Sequence, residues 1–316
     1  MRLRSRLFPA ALALVFLLGG CAVTRFPSSE EGIVVERVFL KLSPMGFRGT
    51  ELFVFRPVGK GPFPGVVLLH GEQPEPTGMP GGREFFYDGT GEFLASQGYA
   101  AMAPSMPGFG DSTGERDFVG PETLSRLRSA VRHFQTLPYV DSRRIAIYGA
   151  SRGATAAALL ARSIPEVRGL VLQSGLYDLL DVAQGDRKPE GSDGETSKEA
   201  REMRERIARE AGKSYEAMRK RSPAVFSKDL ACPILLIHGT EDRAVSIDQM
   251  RRFAETLRRE MGKEWEVLAQ EVPAGHVVSG AIVWSEALPF LKRCLGKDGL
   301  ARQRSPDPAK GPKGKP

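Results

Sequence analysis

The chain has 316 residues, 41% of them hydrophobic and 26% charged, which is enough for one large domain or two small ones with a full hydrophobic core. The formal net charge of +7 lies at the ends, because Arg2, Arg4 and Arg6 contribute +3 and the residues from Lys297 onward contribute +4. Residues 21–296 are therefore formally neutral, and charge-driven nucleic-acid binding by the folded part is excluded.

The first 20 residues have the pattern of an export signal, in which three arginines precede an apolar run over 7–18 that is short for a bilayer span. The sequence Leu18-Gly19-Gly20-Cys21 then resembles the lipobox of bacterial lipoproteins. This resemblance implies that Cys21 is acylated and anchors the chain in a bacterial envelope membrane, at the periplasmic face or outside the cell. Ala22 resembles the residue found in lipoproteins sorted to an outer membrane. An ordinary signal cleaved nearby remains the alternative.

The next segments alternate between strands and helices. A polar segment over 21–32 is predicted to be a tether, and strands are predicted at 33–42, 50–56 and 65–69. The remaining predicted elements are helix 84–97, strand 99–103, helix 121–137, strand 144–148, a helix after Ser151, strand 167–173, a charged insertion over 178–221, strand 233–237, helix 247–261, strand 265–272 and helix 280–295. The alternation predicts one doubly wound α/β domain over 33–295, with a mostly parallel eight-stranded sheet. The Pro-, Gly- and Lys-rich tail over 296–316 is predicted to be disordered.

The predicted site is organised around Gly149-Ala150-Ser151-Arg152-Gly153, which follows an apolar strand and precedes a run of helix formers. This is the Gly-x-Ser-x-Gly nucleophile elbow in its strand-turn-helix context. The glycines allow the strand and helix backbones to pass close together, and the turn exposes the Ser151 hydroxyl. The amide of Arg152 begins the helix and is predicted to donate to an oxyanion.

The base and the orienting acid are predicted from the ends of later strands. Of four histidines, His276 follows the last strand and so lies at the carboxyl edge, where Ser151 also emerges. Asp242 follows the seventh strand and gives the order Ser, Asp, His that is typical of this elbow, with Glu241 as the competing acid. His70 and His238 are predicted to stabilise loops, and His133 to lie on a helix face.

The second oxyanion donor is expected from the loop after the third strand, where the amide of Glu72 is the candidate. The Glu72 carboxylate would oppose an oxyanion, so its side chain is expected to point away. The insertion contains an amphipathic helix that either covers the site as a lid or packs peripherally.

Two cysteines, Cys232 and Cys294, are predicted at the lower edge of the sheet. They either form a disulfide, which an oxidising compartment would permit, or remain separate buried thiols. No metal-ligand cluster or phosphate-binding loop is seen, so no metal and no cofactor are predicted.

The chain resembles the α/β-hydrolases, and within them the catalytic domain of the prolyl oligopeptidase (S9) peptidases and the dienelactone hydrolase-like esterases. The resemblance rests on segments spread over residues 50–295: Gly61-Pro62-Phe63-Pro64, His70-Gly71, Gln97-Gly98-Tyr99, Pro107-Gly108-Phe109-Gly110-Asp111-Ser112, Tyr139-Val140-Asp141, Ser222-Pro223 and the region from Cys232 to Val245. It implies a serine hydrolase acting on a small ester, an amide or a short peptide. An acyltransferase or thioesterase with the same residues, or a catalytically silent envelope binding protein, remains open, and the sequence does not predict the oligomeric state.

Overall fold

The computed structural model describes residues 15–18, 21–26, 28, 31–42, 47–73, 78–180, 197–261 and 265–297. Most of the predicted signal, most of the C-terminal tail and the first half of the insertion lie outside the described residues.

In the described part of the chain, the strands form a single mixed sheet of ten. Their bounds are β1 Val15–Leu18, β2 Cys21–Phe26, β3 Ile33–Lys41, β4 Gly49–Pro57, β5 Phe63–Leu69, β6 Ala100–Pro104, β7 Val140–Ala150, β8 Val167–Gln173, β9 Ile234–Gly239 and β10 Val267–Val272. The order across the sheet is β1-β2-β3-β4-β6-β5-β7-β8-β9-β10. The first four neighbouring pairs in this order, β1–β2, β2–β3, β3–β4 and β4–β6, are antiparallel. The other five pairs, from β6–β5 to β9–β10, are parallel. The predicted α/β class and all eight predicted strands are confirmed, and β1 and β2 are additional.

The segment expected to be a tether begins as strand β2, which pairs in antiparallel register with β3 from Cys21 opposite Leu40 to Phe26 opposite Val35. The Phe26 ring lies 6.1 Å from the Phe53 ring, and Val23 also packs against the core. These apolar contacts explain why a segment with polar composition joins the sheet.

The helices cover both faces of the sheet. Their bounds are α1 Glu84–Tyr87, α2 Thr90–Ser96, α3 Pro121–Thr136, α4 Arg152–Ala161, α5 Lys198–Ala211, α6 Tyr215–Lys220, α7 Asp248–Glu260 and α8 Gly280–Leu295. The helices α3, α4, α5 and α7 share one core with alternate strand residues such as Val67 and Ile147. The strand residues on the other face of the sheet, such as Val66 and Tyr148, pack against α1, α2 and α8. A sheet buried on both faces accounts for its uninterrupted apolar strands.

The single helix predicted over 84–97 is wrong, because the structure has two helices, α1 and α2, at this place. Gly89 lies between them with φ of 78°, a left-handed conformation that ends helical geometry and that glycine adopts without steric cost. The Asp88 carboxylate accepts a hydrogen bond from the Thr90 amide at 2.8 Å, which stabilises the N-terminus of α2.

The second half of the insertion consists of α5 and α6. Ser197 is the N-cap of α5, since its hydroxyl accepts a hydrogen bond from the Ala200 amide at 3.0 Å. Met203 and Ile207, on the apolar face of α5, are buried in the hydrophobic core. The insertion is thus integrated into the domain.

Candidate active site

Ser151 lies at the sharp turn between β7 and α4. Its backbone has φ of 52° and ψ of −115°, a strained conformation for a residue with a side chain, and its amide donates to the Gln173 carbonyl at 2.7 Å. A Cβ atom on Gly149 would collide with the Gly153 carbonyl, and one on Gly153 would collide with the Leu69 carbonyl. The predicted need for glycine at both positions is confirmed.

The structure brings Ser151, His276 and Asp242 into one chain of hydrogen bonds. The Ser151 Oγ lies 2.8 Å from Nε2 of His276, and Nδ1 of His276 lies 2.7 Å from Oδ2 of Asp242. In the tautomer that satisfies both contacts, Nδ1–H donates to the carboxylate and Nε2 accepts from the hydroxyl. Glu241, the competing acid, is exposed to solvent.

The Asp242 side chain is fully buried and fully hydrogen-bonded. Its Oδ1 accepts from the amides of Ala244 and Val245, both at 2.9 Å. Burial alone would raise the pKa of Asp242, but hydrogen bonds from His238 and His276 outweigh it and hold that pKa well below its usual range. The carboxylate therefore stays ionised throughout the neutral pH range.

His238 is a functional neighbour that the sequence interpretation missed. Its Nε2 lies 3.0 Å from Oδ2 of Asp242 and 3.0 Å from the Val245 carbonyl, so its N–H donates between the two oxygens. The imidazole is completely buried, and its Nδ1 has no partner among the described residues. Its position four residues before Asp242, at the end of a strand, was the available signal.

The other two histidines lie outside the triad formed by Ser151, His276 and Asp242. Nδ1 of His70 lies 2.8 Å from the Gly71 carbonyl, and Nε2 accepts from the Met106 amide at 3.0 Å. Burial lowers the pKa of His70 to about 4, which keeps the ring neutral and suited to holding these loops together. His133 lies on α3, and partial burial lowers its pKa.

The loop that follows β5 lies against the nucleophile. A Cβ atom placed on Gly71 would lie 3.5 Å from Cβ of Ser151 and 3.3 Å from the Ala150 carbonyl, so backbone and turn are in contact. The Glu72 carboxylate forms an ion pair with the side chain of Arg152 and lies 3.5 Å from Nη1 of Arg116. The acidic charge at this position is thus compensated by arginines.

A cavity of about 510 Å³ opens at the triad. One wall carries Phe85, Tyr148 and Trp284, together with the acidic side chains of Glu84 and Asp88. The insertion helix α5 contributes four further lining residues, namely Glu199, Glu202, Met203 and Arg206. This mixed lining of aromatic and charged side chains suits an organic substrate with a small number of polar groups.

Glu84 is the most strongly perturbed acid of the cavity. Its carboxylate accepts a hydrogen bond from Nε2 of Gln73 at 2.5 Å. Burial, together with the nearby charge of Asp88, raises the pKa of Glu84 to about 7. The side chain consequently changes its charge near neutral pH.

Both cysteines in the described part of the domain are free thiols. Cys232 is buried and Cys294 is partly buried on α8. Among the described helices, none is long and apolar enough to cross a membrane. In the same part of the chain, no group of three or more His, Cys, Asp or Glu residues is arranged to hold a metal ion.

Solved structures with this fold include peptidases and esterases. The acylaminoacyl peptidase of Pyrococcus horikoshii superposes with a TM-score of 0.63 at 19% identity, over 84% of this chain and 42% of that one. The acetyl xylan esterase of Paenibacillus sp. R4 gives 0.64 at 16% identity, over 87% and 89%. The esterase Est2 of Thermogutta terrifontis gives 0.58 at 19% identity, over 83% and 94%. At these identities the likeness establishes the fold.

Sequence comparison defines the family. The uncharacterized peptidase YtmA of Bacillus subtilis (strain 168) is 29% identical over 171 residues, which are 52% of this chain and 61% of that protein. The chain therefore spans less than two thirds of the length of this relative and of the Pyrococcus peptidase. Residues 88–298, about two thirds of the sequence, match the prolyl oligopeptidase family. The chain belongs to the prolyl oligopeptidase family of peptidases.

Proposed function

We propose that this protein is a serine hydrolase that cleaves a carboxylic ester or a small amide through an acyl-enzyme. The observation that carries the proposal is the continuous hydrogen-bond chain from Ser151 through His276 to Asp242. A hydroxyl is a weak nucleophile until a neighbouring base accepts its proton, and this geometry provides that base at hydrogen-bond distance.

In the acylation step, Ser151 Oγ attacks the substrate carbonyl carbon while Nε2 of His276 takes the hydroxyl proton. A C–O bond forms to the serine, and the carbonyl electron pair moves to its oxygen as the tetrahedral intermediate appears. His276 then delivers its proton to the leaving alcohol or amine as the scissile bond breaks. The ionised Asp242 stabilises the imidazolium that exists between these two transfers.

The oxyanion is proposed to accept hydrogen bonds from the backbone amides of Arg152 and Glu72. The first belongs to the N-terminus of α4, where the unpaired amides and the helix dipole favour negative charge. The second belongs to the loop that contacts Ser151 through Gly71.

In the deacylation step, a water molecule replaces the leaving group and His276 removes its proton. The water oxygen bonds to the acyl carbon to give a second tetrahedral intermediate. The bond between the acyl carbon and Ser151 Oγ then breaks as His276 returns its proton to Oγ, which regenerates the serine hydroxyl and releases the carboxylic acid. An acceptor alcohol, amine or thiol that outcompetes water would convert the same cycle into acyl transfer. The triad therefore limits the chemistry to acyl-group reactions, and the cavity walls select among substrates.

Labelling with a fluorophosphonate probe tests the proposal. Ser151 should be the labelled residue, and Ser151→Ala should lose both labelling and turnover of p-nitrophenyl esters and aminoacyl arylamides while retaining the wild-type melting temperature. Ser246→Ala is a matched control, since that serine precedes α7 and lies outside the triad. Unchanged labelling of the Ser151→Ala protein would refute the nucleophile, and products that require an added acceptor would indicate a transferase.

We also propose that a lipid on Cys21 anchors the protein to a bacterial envelope membrane, which the lipobox-like pattern supports. More than one acyl chain at about 0.8 kcal/mol per buried CH₂ makes such an anchor stable. In a bacterial host, Cys21→Ser should abolish incorporation of labelled palmitate and shift the protein to the soluble fraction. Cys294→Ser is the matched control and should remain membrane-bound. A Cys21→Ser protein that still sediments with membranes would refute the anchor.

A further inference from the structure

The Arg152 side chain is buried next to the nucleophile, on the first residue of α4. It is 2% exposed, and its guanidinium lies 4.8 Å from the centre of the Phe118 ring and 5.3 Å from that of Phe109. A cation in such a place requires compensating charge, since desolvation is costly. Triad chemistry uses only the backbone amide of this residue, so the side chain needs a separate explanation.

Two carboxylates from distant parts of the sequence compensate it. Nη2 of Arg152 forms an ion pair with Oε2 of Glu72 and lies 2.8 Å from Oε2 of Glu210. Glu72 belongs to the loop after β5, and Glu210 belongs to the insertion helix α5. Both carboxylates are shielded, with side-chain exposures of 11% and 7%. The arginine therefore connects the turn at Ser151, the loop after β5 that contains Glu72 (the oxyanion loop) and the insertion helix α5.

Further contacts fix the two carboxylates. Arg116 lies 3.5 Å from Oε1 of Glu72 and 3.4 Å from Oε1 of Glu210. Arg206 of α5 lies 3.7 Å from Oε1 of Glu72, and the Phe118 amide donates to Oε2 of Glu210 at 3.2 Å. Each carboxylate faces more than one basic group. Nη2 of Arg152 and Oε2 of Glu72 are buried and make no hydrogen bond to a described residue, so charge attraction in a shielded environment holds this pair.

We propose that the Arg152 side chain is a positioning residue that sets the oxyanion hole by pairing with Glu72, and that Glu210 of the insertion helix locks this pair. The proposal rests on the proposed hydrolase function of Ser151. The two amides assigned to the oxyanion belong to Arg152 and Glu72, whose side chains are ion-paired with each other. Fixing the side chains fixes the separation of the amides, and a displacement on the order of 1 Å costs up to about 100-fold in rate.

This arrangement gives the insertion a role in transition-state stabilisation beyond lining the cavity. Loss of the Glu210 carboxylate leaves Arg152 with one buried counter-charge and weakens the hold on the oxyanion loop. Ground-state binding of substrate depends mainly on the cavity walls, so kcat and the affinity for a tetrahedral analogue should fall while KM changes little.

The test uses the full chain with p-nitrophenyl butyrate as substrate and a trifluoromethyl ketone as the tetrahedral analogue. Arg152→Met keeps the aliphatic stem and removes the charge, and it should lower kcat and analogue affinity by roughly 10- to 100-fold with KM within about threefold. Glu210→Gln keeps the shape and should lower both by about 3- to 10-fold. Arg152→Lys should restore part of the loss, and the double variant should be less than additive.

Two matched controls separate positioning from general stability. Arg162 on the end of α4 also pairs with a carboxylate, Asp229 at 3.0 Å, and stacks on Phe226, but lies a helix length from Ser151. Arg162→Met should lower the melting temperature without changing kcat. Glu205→Gln on the exposed face of α5 should change neither quantity.

The kinetics of these variants decide whether Arg152 and Glu210 position the oxyanion hole. Unchanged kcat in folded Arg152→Met, or a rise in KM with kcat preserved, would overturn the proposal even when Ser151 is labelled normally. If Arg152→Met does not fold, Glu210→Gln decides alone, and wild-type kcat and analogue affinity in that variant would refute the role of the insertion. Failure of the Ser151 labelling experiment would refute the underlying function instead, so the two failures are distinguishable.

Discussion

His238 Nε2 lies 3.0 Å from Oδ2 of Asp242, the same carboxylate oxygen that lies 2.7 Å from Nδ1 of His276. The acid of the triad is therefore shared by two imidazoles. The buried ring of His238 fixes the carboxylate rotamer and withdraws electron density from the oxygen that His276 uses. This places His238 as a group that acts through Asp242 on the basicity of His276.

Replacement of His238 should be visible in the pH profile. His238→Leu removes a donor from Asp242, which makes the carboxylate more basic and stabilises the imidazolium of His276. The acid limb of kcat/KM, which reports protonation of His276, should therefore move to higher pH by about half a unit or more, with kcat roughly tenfold lower. His238→Gln places an amide donor near the former Nε2 and should restore the wild-type limb. A fall in melting temperature with an unmoved acid limb would indicate a purely structural role.

The sequence was sufficient to predict Ser151, Asp242 and His276 as members of one site, because each follows a strand that a local run of apolar residues identifies. Parallel strands bring their carboxyl ends to one edge, so residues distant in sequence could be assigned to one site. The same logic predicted eight strands of the sheet. These predictions depend on topology and on short-range pattern only.

The features that the sequence did not predict depend on three-dimensional packing. The pairing of Arg152 with Glu210 joins residues 58 positions apart through an insertion, which no local pattern encodes. His238 ends a buried strand, as His70 does. Its position four residues before Asp242 was the one difference in sequence, and the geometry shows that this spacing puts its Nε2 beside the carboxylate. The break at Gly89 carried a local signal, the turn dipeptide Asp88-Gly89, which the prediction of one continuous helix did not take into account.

Asp242→Asn should lower kcat by roughly 10⁴-fold while the protein remains folded. The amide nitrogen of asparagine would face Nδ1 of His276 and stabilise the tautomer that carries its proton on Nε2, which cannot accept from Ser151. Steady-state kinetics with a p-nitrophenyl ester at pH 8 measure the loss. Glu241→Gln, the exposed neighbour, is the control and should retain wild-type kcat. A reduction below tenfold in Asp242→Asn would assign the orienting role to another acid.

The two thiols should be protected from alkylation in the native protein. Burial raises the pKa of Cys294 to about 12 and that of Cys232 further, so little thiolate forms at pH 8. Iodoacetamide should modify them slowly in native buffer and rapidly after denaturation without reductant, as peptide mass mapping would show. Resistance to alkylation in denatured, unreduced protein from an oxidising compartment would establish the alternative disulfide.

Met203 should influence substrate selectivity, because it is the buried residue of α5 that also lines the cavity. Met203→Ala enlarges the cavity at that wall and should raise kcat/KM for p-nitrophenyl octanoate relative to the acetate by about 10-fold or more. The rate of fluorophosphonate labelling should change less. A point substitution is preferable to deletion of the insertion, because deletion would also remove core residues such as Ile207. An unchanged octanoate-to-acetate ratio would refute a selective role for α5.

Glu84 should make the stability of the protein decrease with rising pH between about 4.5 and 7. Its folded pKa of about 7 exceeds the unfolded value of 4.5, so the folded state binds more protons in this window and loses stability as the pH rises through it. Glu84→Gln keeps an oxygen that accepts from Gln73 and removes the titration. Between pH 4.5 and 7, the free energy of unfolding of the variant should rise relative to that of the wild type by on the order of 1 to 2 kcal/mol, after allowance for solvent screening. Above pH 7 this difference should become constant. Urea unfolding at pH 4.5, 5.5, 6.5 and 7.5 measures it, and a difference that stays constant over this range would show that Glu84 ionises equally in both states.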